Sequence, residues 1–123
     1  MNQHTLLGMA VEYKNLLEEV SEVIKFVSDY SDTARSLELT IRTGNYSDPL
    51  DIQFAKNIIT STKHSGCEYL DNIYHLKHKL EALSDMDCKH RTKVMKAVDT
   101  NESVLRSYIA DVDSLHHILE DRI

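Results

Sequence analysis

Tryptophan is absent from this chain, and its 123 residues include only one proline and three glycines. An all-β chain of this length needs more turn-forming residues than that, so their scarcity favours helices. No run of residues approaches the ~18 consecutive apolar side chains of a membrane-spanning helix. The first four residues, MNQH, do not begin a basic region followed by an apolar run, so no export signal is indicated. The sequence therefore predicts a cytoplasmic protein with no membrane association.

Cysteine is scarce as well, with only Cys67 and Cys88. If Cys67 lies inside a helix that ends ~17 residues later, a rise of ~1.5 Å per residue puts it ~25 Å from Cys88. That separation excludes an intrachain disulfide, which suits a reducing compartment. Neither cysteine lies in a catalytic signature. Lone cysteines in helical proteins are mostly buried as small apolar groups, and we expect the same here.

Catalytic motifs are also missing. The glycines Gly8, Gly44 and Gly66 are isolated from one another, so no phosphate-binding loop is indicated. Adjacent carboxylates such as Glu18 and Glu19 lack the apolar surroundings that raise a pKa. The Glu-x-x-His pattern of di-iron bundles is absent. We therefore expect neither an enzyme nor a cofactor.

The chain contains seven histidines, and histidine is a residue that can indicate a metal site. In an antiparallel bundle the start of the first helix lies beside the turn between the second and third helices. That arrangement would bring His4 near Cys88 and His90, the best group of ligands that the sequence offers. Solvated polar side chains at a bundle end are the simpler interpretation, and we predict no metal site.

The composition is that of an ordinary globular protein, with 41% apolar and 28% charged residues, so disorder is not expected. The first segment shows a helical stripe in which apolar residues recur at alternating steps of four and three. Its members are Leu6, Ala10, Tyr13, Leu17, Val20, Ile24 and Val27. Short polar side chains interrupt the pattern over residues 28–33, and it resumes at Ala34, Leu37 and Ile41. Either one long helix continues here or two helices meet near Ser31.

The clearest predicted loop is Thr43-Gly44-Asn45-Tyr46-Ser47. Asp48-Pro49-Leu50-Asp51 follows it and indicates the start of a second helix, since Asp48 can cap the helix and Pro49 fits its first position. The second stripe comprises Ile52, Ala55, Ile59, Thr62, Gly66, Tyr69, Ile73, Leu76, Leu80 and Leu83. Gly66 falls on this stripe. We interpret it as a point of close approach to another helix; a kink is the alternative.

A third stripe follows a short polar turn at residues 84–87 and consists of Val94, Val98, Asn101, Leu105, Tyr108, Val112, Leu115 and Leu119. Three stripes joined by short turns predict an elongated antiparallel three-helix bundle with coiled-coil-like packing, forming a single domain over residues 1–123. A break near Ser31 would give four helices. Further apolar residues lie off the stripes and either widen the buried faces or remain on the surface. They include Leu7, Leu16, Val23, Leu39, Leu50, Phe54, Ile58, Leu70, Met95, Val104 and Ile109.

Charge is unevenly distributed along the chain. Residues 1–51 carry nine acidic against four basic side chains, residues 74–96 three against six, and residues 97–123 six against two. Antiparallel folding would gather a basic end, comprising His75, Lys77, His78, Lys79, Lys89, His90, Arg91, Lys93 and Lys96. The opposite, acidic end would gather Asp48, Asp51, Asp111, Asp113, Glu120 and Asp121, with Glu38 close by.

These features predict a non-catalytic protein-binding module: an adaptor, a secretion or export chaperone, or an immunity-type inhibitor. A helical face or the acidic end would bind a basic partner protein, because complementary charge speeds encounter. The alternative is a self-assembling coiled-coil component, since periodicity reports a buried face and not which chain buries it. Nucleic-acid binding needs a stronger positive field and aromatic platforms, which the basic end lacks.

Overall fold

The computed structural model describes the backbone of residues 3–83 and 88–123, and the side chains of residues 11–83 and 89–123. Within those ranges the chain forms three α-helices and no strand: α1 (Gln3–Thr43), α2 (Pro49–Glu81) and α3 (Cys88–Arg122). At a rise of ~1.5 Å per residue, α1 is ~60 Å long and the other two are ~50 Å long. The predicted all-helical bundle is confirmed.

Contacts at the two ends of the bundle fix the direction of each helix. The Arg122 guanidinium donates a hydrogen bond to the Gly44 carbonyl at 2.6 Å, so α3 ends beside the α1–α2 connection. At the other end, the rings of Tyr13 and His90 lie 5.6 Å apart, so α3 starts beside the first part of α1. Helices α1 and α3 therefore run in one direction and α2 runs in the opposite one.

Helix α1 continues without a break through residues 28–33, and the four-helix alternative is wrong. The polar side chains in this segment do not cap a new helix. The Thr33 hydroxyl donates to the Asp29 carbonyl one turn earlier, at 3.1 Å, and so stays within the helix. Tyr30 is buried in the core and its hydroxyl donates to the Thr62 carbonyl of α2 at 2.9 Å. A buried aromatic residue in the middle of the polar segment thus holds α1 against the bundle.

The buried face of α1 differs from the predicted stripe in its first half. Leu16 and Val23 are buried, whereas Ile24 is 45% exposed and Leu17 is half-buried. The buried positions follow one register of four and three steps along the described part of α1: Leu16, Val20, Val23, Val27, Tyr30, Ala34, Leu37 and Ile41. Because an unbroken helix turns one face towards its partners, the buried positions in both halves of α1 follow the same register.

The second helix begins where the capping residues predict. The Asp48 carboxylate accepts a hydrogen bond from the Leu50 backbone N–H at 2.9 Å, and Pro49 occupies the first turn. Every member of the predicted stripe is buried or half-buried. Gly66 is buried, and a Cβ atom added to it would lie 2.7 Å from Ile109 Cγ1 and 2.7 Å from the Tyr30 hydroxyl. The close-approach interpretation of Gly66 is confirmed.

Helix α3 also runs unbroken, with no cap at residues 99–102. The Thr100 hydroxyl and the Asn101 amide donate to carbonyls four residues earlier, both at 2.9 Å. Its predicted stripe is buried or half-buried throughout, and Ile109 joins the core. Helix α3 packs closely against both of the other helices, whereas α1 and α2 contact one another more sparsely. The core is therefore built around α3, and a groove is left between α1 and α2.

Candidate partner-binding surface

Four of the six carboxylates predicted to form the acidic end lie at one end of the bundle. We call it the junction end, formed by residues 44–48 with the adjoining turns of α1, α2 and α3. Asp48 and Asp51 stand at the start of α2, and Glu120 and Asp121 lie in the last turn of α3. All four are exposed. The Arg122–Gly44 hydrogen bond joins these two groups across the bundle.

The other two predicted carboxylates lie away from that end. Asp111 and Asp113 precede Arg122 by roughly 10 residues, which places them ~15 Å along α3 from its end. Asp113 accepts a hydrogen bond from the Lys63 ammonium at 2.9 Å. This bond holds the pKa of Asp113 below its usual value. Asp113 therefore serves α2–α3 pairing, while Asp111 stands exposed on the side of the bundle.

The junction end is less acidic than the sequence suggests, because two arginines lie there. Arg42 pairs with Glu38 one turn earlier in α1, at 3.0 Å. The Arg122 guanidinium lies 5.9 Å from the centre of the Tyr46 ring. The Asp48 carboxylate is occupied by capping α2. The carboxylates of Asp51, Glu120 and Asp121 are the ones best placed to meet a partner.

The basic region is also partly neutralised by the fold. The Lys77 ammonium lies 2.6 Å from Asp99 and 3.7 Å from Glu102, both on α3. Its hydrogen bond to Asp99 raises the pKa of Lys77. Lys79 pairs with Glu19 of α1 at 3.2 Å. Antiparallel packing thus sets basic residues of α2 against acidic residues of its neighbours, which reduces the charge contrast between the two ends.

The structure reveals an apolar component of the junction end that the sequence reasoning did not place. Leu39, Leu50 and Phe54 are 65%, 76% and 67% exposed. Leu39 lies one turn before the end of α1, and Leu50 and Phe54 lie in the first two turns of α2. All three are apolar residues off the stripes, and they do not widen the buried faces. Their position off the stripe beside a predicted loop was the signal available in the sequence.

Cysteine and histidine side chains give no sign of a metal site among the residues whose side chains are described. No group of three or more His, Cys, Asp or Glu side chains in that part of the chain could hold a metal ion. The side chains of His4 and Cys88 lie outside it, and His90 packs against Tyr13. Cys67 is exposed, so the expectation that it is a buried apolar group is wrong. It falls one residue after the stripe position Gly66, on the solvent side of α2.

Within the described residues, no helix has a segment apolar and long enough to cross a bilayer. Comparison of the chain with protein-family models, with curated proteins and with solved structures found no match. The candidate surface therefore rests on the geometry of this chain alone.

Proposed function

We propose that this protein is a non-catalytic protein-binding module that contacts its partner through the junction end. The observation that carries the proposal is the exposure of Leu39, Leu50 and Phe54 at the same end of the bundle as the exposed carboxylates of Asp51 and Glu120. Exposed apolar side chains rimmed by charged ones are typical of protein interaction sites. Burial of each large apolar side chain by a partner would contribute about 1.5–3 kcal/mol to association.

The core gives this proposal further support. The buried side chains of α1, α2 and α3 pack on one another within a single chain. The exposed apolar residues at the junction end are not needed to complete that core. A second role is therefore the natural explanation for a leucine and a phenylalanine in the first two turns of α2. The flanking carboxylates favour a partner with a basic rim, because complementary charge increases the association rate. An adaptor, an export chaperone and an immunity-type inhibitor all fit this description.

Site-specific photo-crosslinking in cells tests the proposal. A photoreactive amino acid at Leu50 should give an adduct with a different protein, and the double variant Asp51→Lys/Glu120→Lys should reduce its yield. The matched control carries the same photoreactive group at Val104, which is 38% exposed on α3 and distant from the junction end. We expect no adduct from that position.

The identity of the crosslinked protein also distinguishes binding to a different partner from self-assembly. A crosslink at Leu50 between two copies of this chain would favour the self-assembling component and refute a module for a different partner. Equal adduct yields from Leu50 and Val104 would show that the junction end has no special role.

A further inference from the structure

Three hollows lie in a line between α1 and α2, and we call them together the α1–α2 groove. The stacked rings of Phe26 and Tyr69 lie between the hollow nearest the junction end and the other two. On the α1 side of the groove, near the junction end, stand the small polar residues Thr33, Ser36 and Thr40, opposite Ile58 and Thr62 of α2. Short side chains on this flank leave space that a larger residue would fill. Two further hollows continue the groove towards the other end of the bundle, and the largest has a volume of about 730 Å³. The groove is therefore long and open to solvent.

Each part of the groove has apolar or aromatic surface beside its polar lining. Val11, 57% exposed, lines the hollow farthest from the junction end. The rings of Phe26 and Tyr69 stack at 3.7 Å across the two helices midway along. Near the junction end lies Ile58, and Phe54 stands one turn away on the same side of α2, 67% exposed. A bound helix would therefore meet an apolar or aromatic side chain in each part of the groove.

The charged side chains that line the groove are mostly acidic. Glu12, Glu19, Glu22 and Asp32 line its three hollows. The one lysine or arginine among the described lining residues of these hollows is Lys79, which already pairs with Glu19 at 3.2 Å. A carboxylate-rich wall attracts a cationic ligand and repels an anionic one.

We propose that the α1–α2 groove binds a cationic amphipathic helix of a partner protein. This inference rests on the proposed role as a protein-binding module, not on the junction end, and it names the chemistry of the partner. A helix in the groove would lay its apolar face on Val11, Tyr69 and Phe54 and direct lysines or arginines to the carboxylates on either side. The bundle would then gain a fourth helix, which would cover the sparse α1–α2 interface. A second copy docked groove to groove fits poorly, because carboxylates would face carboxylates.

Binding of a synthetic peptide tests the groove directly. The probe is a fluorescently labelled peptide of about 20 residues with leucines at helical spacing and lysines and glutamines elsewhere. Its matched control has glutamates in place of the lysines. Fluorescence anisotropy at physiological ionic strength should show the lysine peptide binding at least about tenfold more tightly than the glutamate peptide.

Two double variants, which change the net charge of the protein by the same amount, show where the peptide binds. Glu12→Lys/Glu22→Lys, in the groove, should weaken binding of the lysine peptide about tenfold. Asp71→Lys/Asp111→Lys alters exposed carboxylates of α2 and α3 that lie outside both the groove and the junction end and should leave the affinity within about twofold. Phe54→Ser should also weaken binding about tenfold. Circular dichroism on each variant confirms that the bundle is folded.

Equal binding of the two peptides, or equal loss in the two charge variants, would overturn the groove proposal. The proposed function would survive that outcome if Leu50 still crosslinks to a partner in cells. The reverse pattern, with groove-specific peptide binding and no adduct at Leu50, would support the groove and refute the junction end.

Discussion

At the scale of single residues, Gly66 and Tyr30 show how closely this bundle is packed. Tyr30 of α1 lies across the backbone of α2, and Gly66 leaves the space for its ring and hydroxyl. Ile109 of α3 meets Gly66 from the other side. A side chain from each of the other two helices thus converges on one glycine. Closely packed interiors tolerate extra atoms poorly, because neighbours must leave their preferred rotamers.

Gly66→Ala should destabilise the protein. Alanine improves helix propensity by about 1 kcal/mol, but its Cβ would lie 2.7 Å from Ile109 Cγ1 and from the Tyr30 hydroxyl. Overpacking of this kind costs about 1–3 kcal/mol, so we expect a net loss of roughly 1 kcal/mol in urea unfolding. Ser65→Ala, on the exposed side of the same turn, is the control and should be neutral or slightly stabilising. A gain in stability from Gly66→Ala would contradict the close approach.

The Tyr30 hydroxyl should make stability depend on alkaline pH. Burial raises the pKa of Tyr30 from 10.0 to about 12. Because the unfolded chain ionises first, stability is intact below pH 10 and is lost as the pH rises towards 12. Ionisation of the Tyr30 hydroxyl should lower the free energy of unfolding by about 2–3 kcal/mol over this pH range.

Tyr30→Phe isolates that contribution. The variant should be less stable than the wild type by about 1 kcal/mol at neutral pH, because the hydrogen bond to Thr62 is lost. Its stability should then fall less steeply above pH 10. Chemical unfolding of both proteins across the alkaline range measures the difference. Parallel pH profiles for the two proteins would show that Tyr30 ionises normally in the folded state.

At the scale of elements, the decisive feature is the continuity of α1 through residues 28–33. The segment contains capping residues that can end a helix, yet the Thr33 hydroxyl bonds within the helix and Tyr30 anchors it to α2. Local preference and tertiary packing compete here, and packing prevails because it buries a large aromatic side chain. The same continuity fixes which residues of the first half of α1 face the core.

Substitution of Asp32 by proline tests the continuity of α1. Asp32 is exposed, so Asp32→Pro affects the backbone and not the core. Loss of a helical hydrogen bond and the clash of the ring with the preceding turn should cost about 3 kcal/mol or more. Asp32→Ala, the control, should change stability by less than 1 kcal/mol. Similar unfolding midpoints for the two variants would mean that α1 is interrupted at this point.

At the scale of the whole molecule, α3 organises the bundle and leaves α1 and α2 less closely joined. The core is completed by one chain, and pairs such as Lys63–Asp113 and Lys77–Asp99 connect neighbouring helices at the surface. Exposed pairs of this type add little stability, and their main effect is on the surface charge. We propose the junction end and the α1–α2 groove as the surfaces that meet a partner.

Light scattering on the eluting peak of a sizing column should give the mass of one chain at every protein concentration. Three helices of the same chain bury the stripes over the described side chains, so in that part of the chain no apolar stripe is left to pair with another copy. The rod-like shape should make the peak elute earlier than a compact protein of the same mass. A mass that rises with concentration would favour the self-assembling alternative.

The sequence alone determined the helical class, a loop near residues 43–47, the start of α2 at Pro49 and the stripes of α2 and α3. Those features are local: capping groups, a single proline and a regular spacing of apolar residues specify them within a few turns. The placement of Gly66 at a close approach also followed from its position on a stripe. The antiparallel order of the helices also predicted that Asp48, Asp51, Glu120 and Asp121 would lie at one end of the bundle.

Only the tertiary structure decided the rest. The continuity of α1, and with it the burial of Leu16 and Val23 in place of Leu17 and Ile24, depends on Tyr30 packing against α2. The pairing of Asp113 with Lys63 depends on how α2 and α3 face one another. The exposure of Leu39, Leu50 and Phe54 depends on which flank each helix turns to the core. Each of these is a relation between segments distant in sequence, and a periodic pattern does not encode which helix will cover a given face.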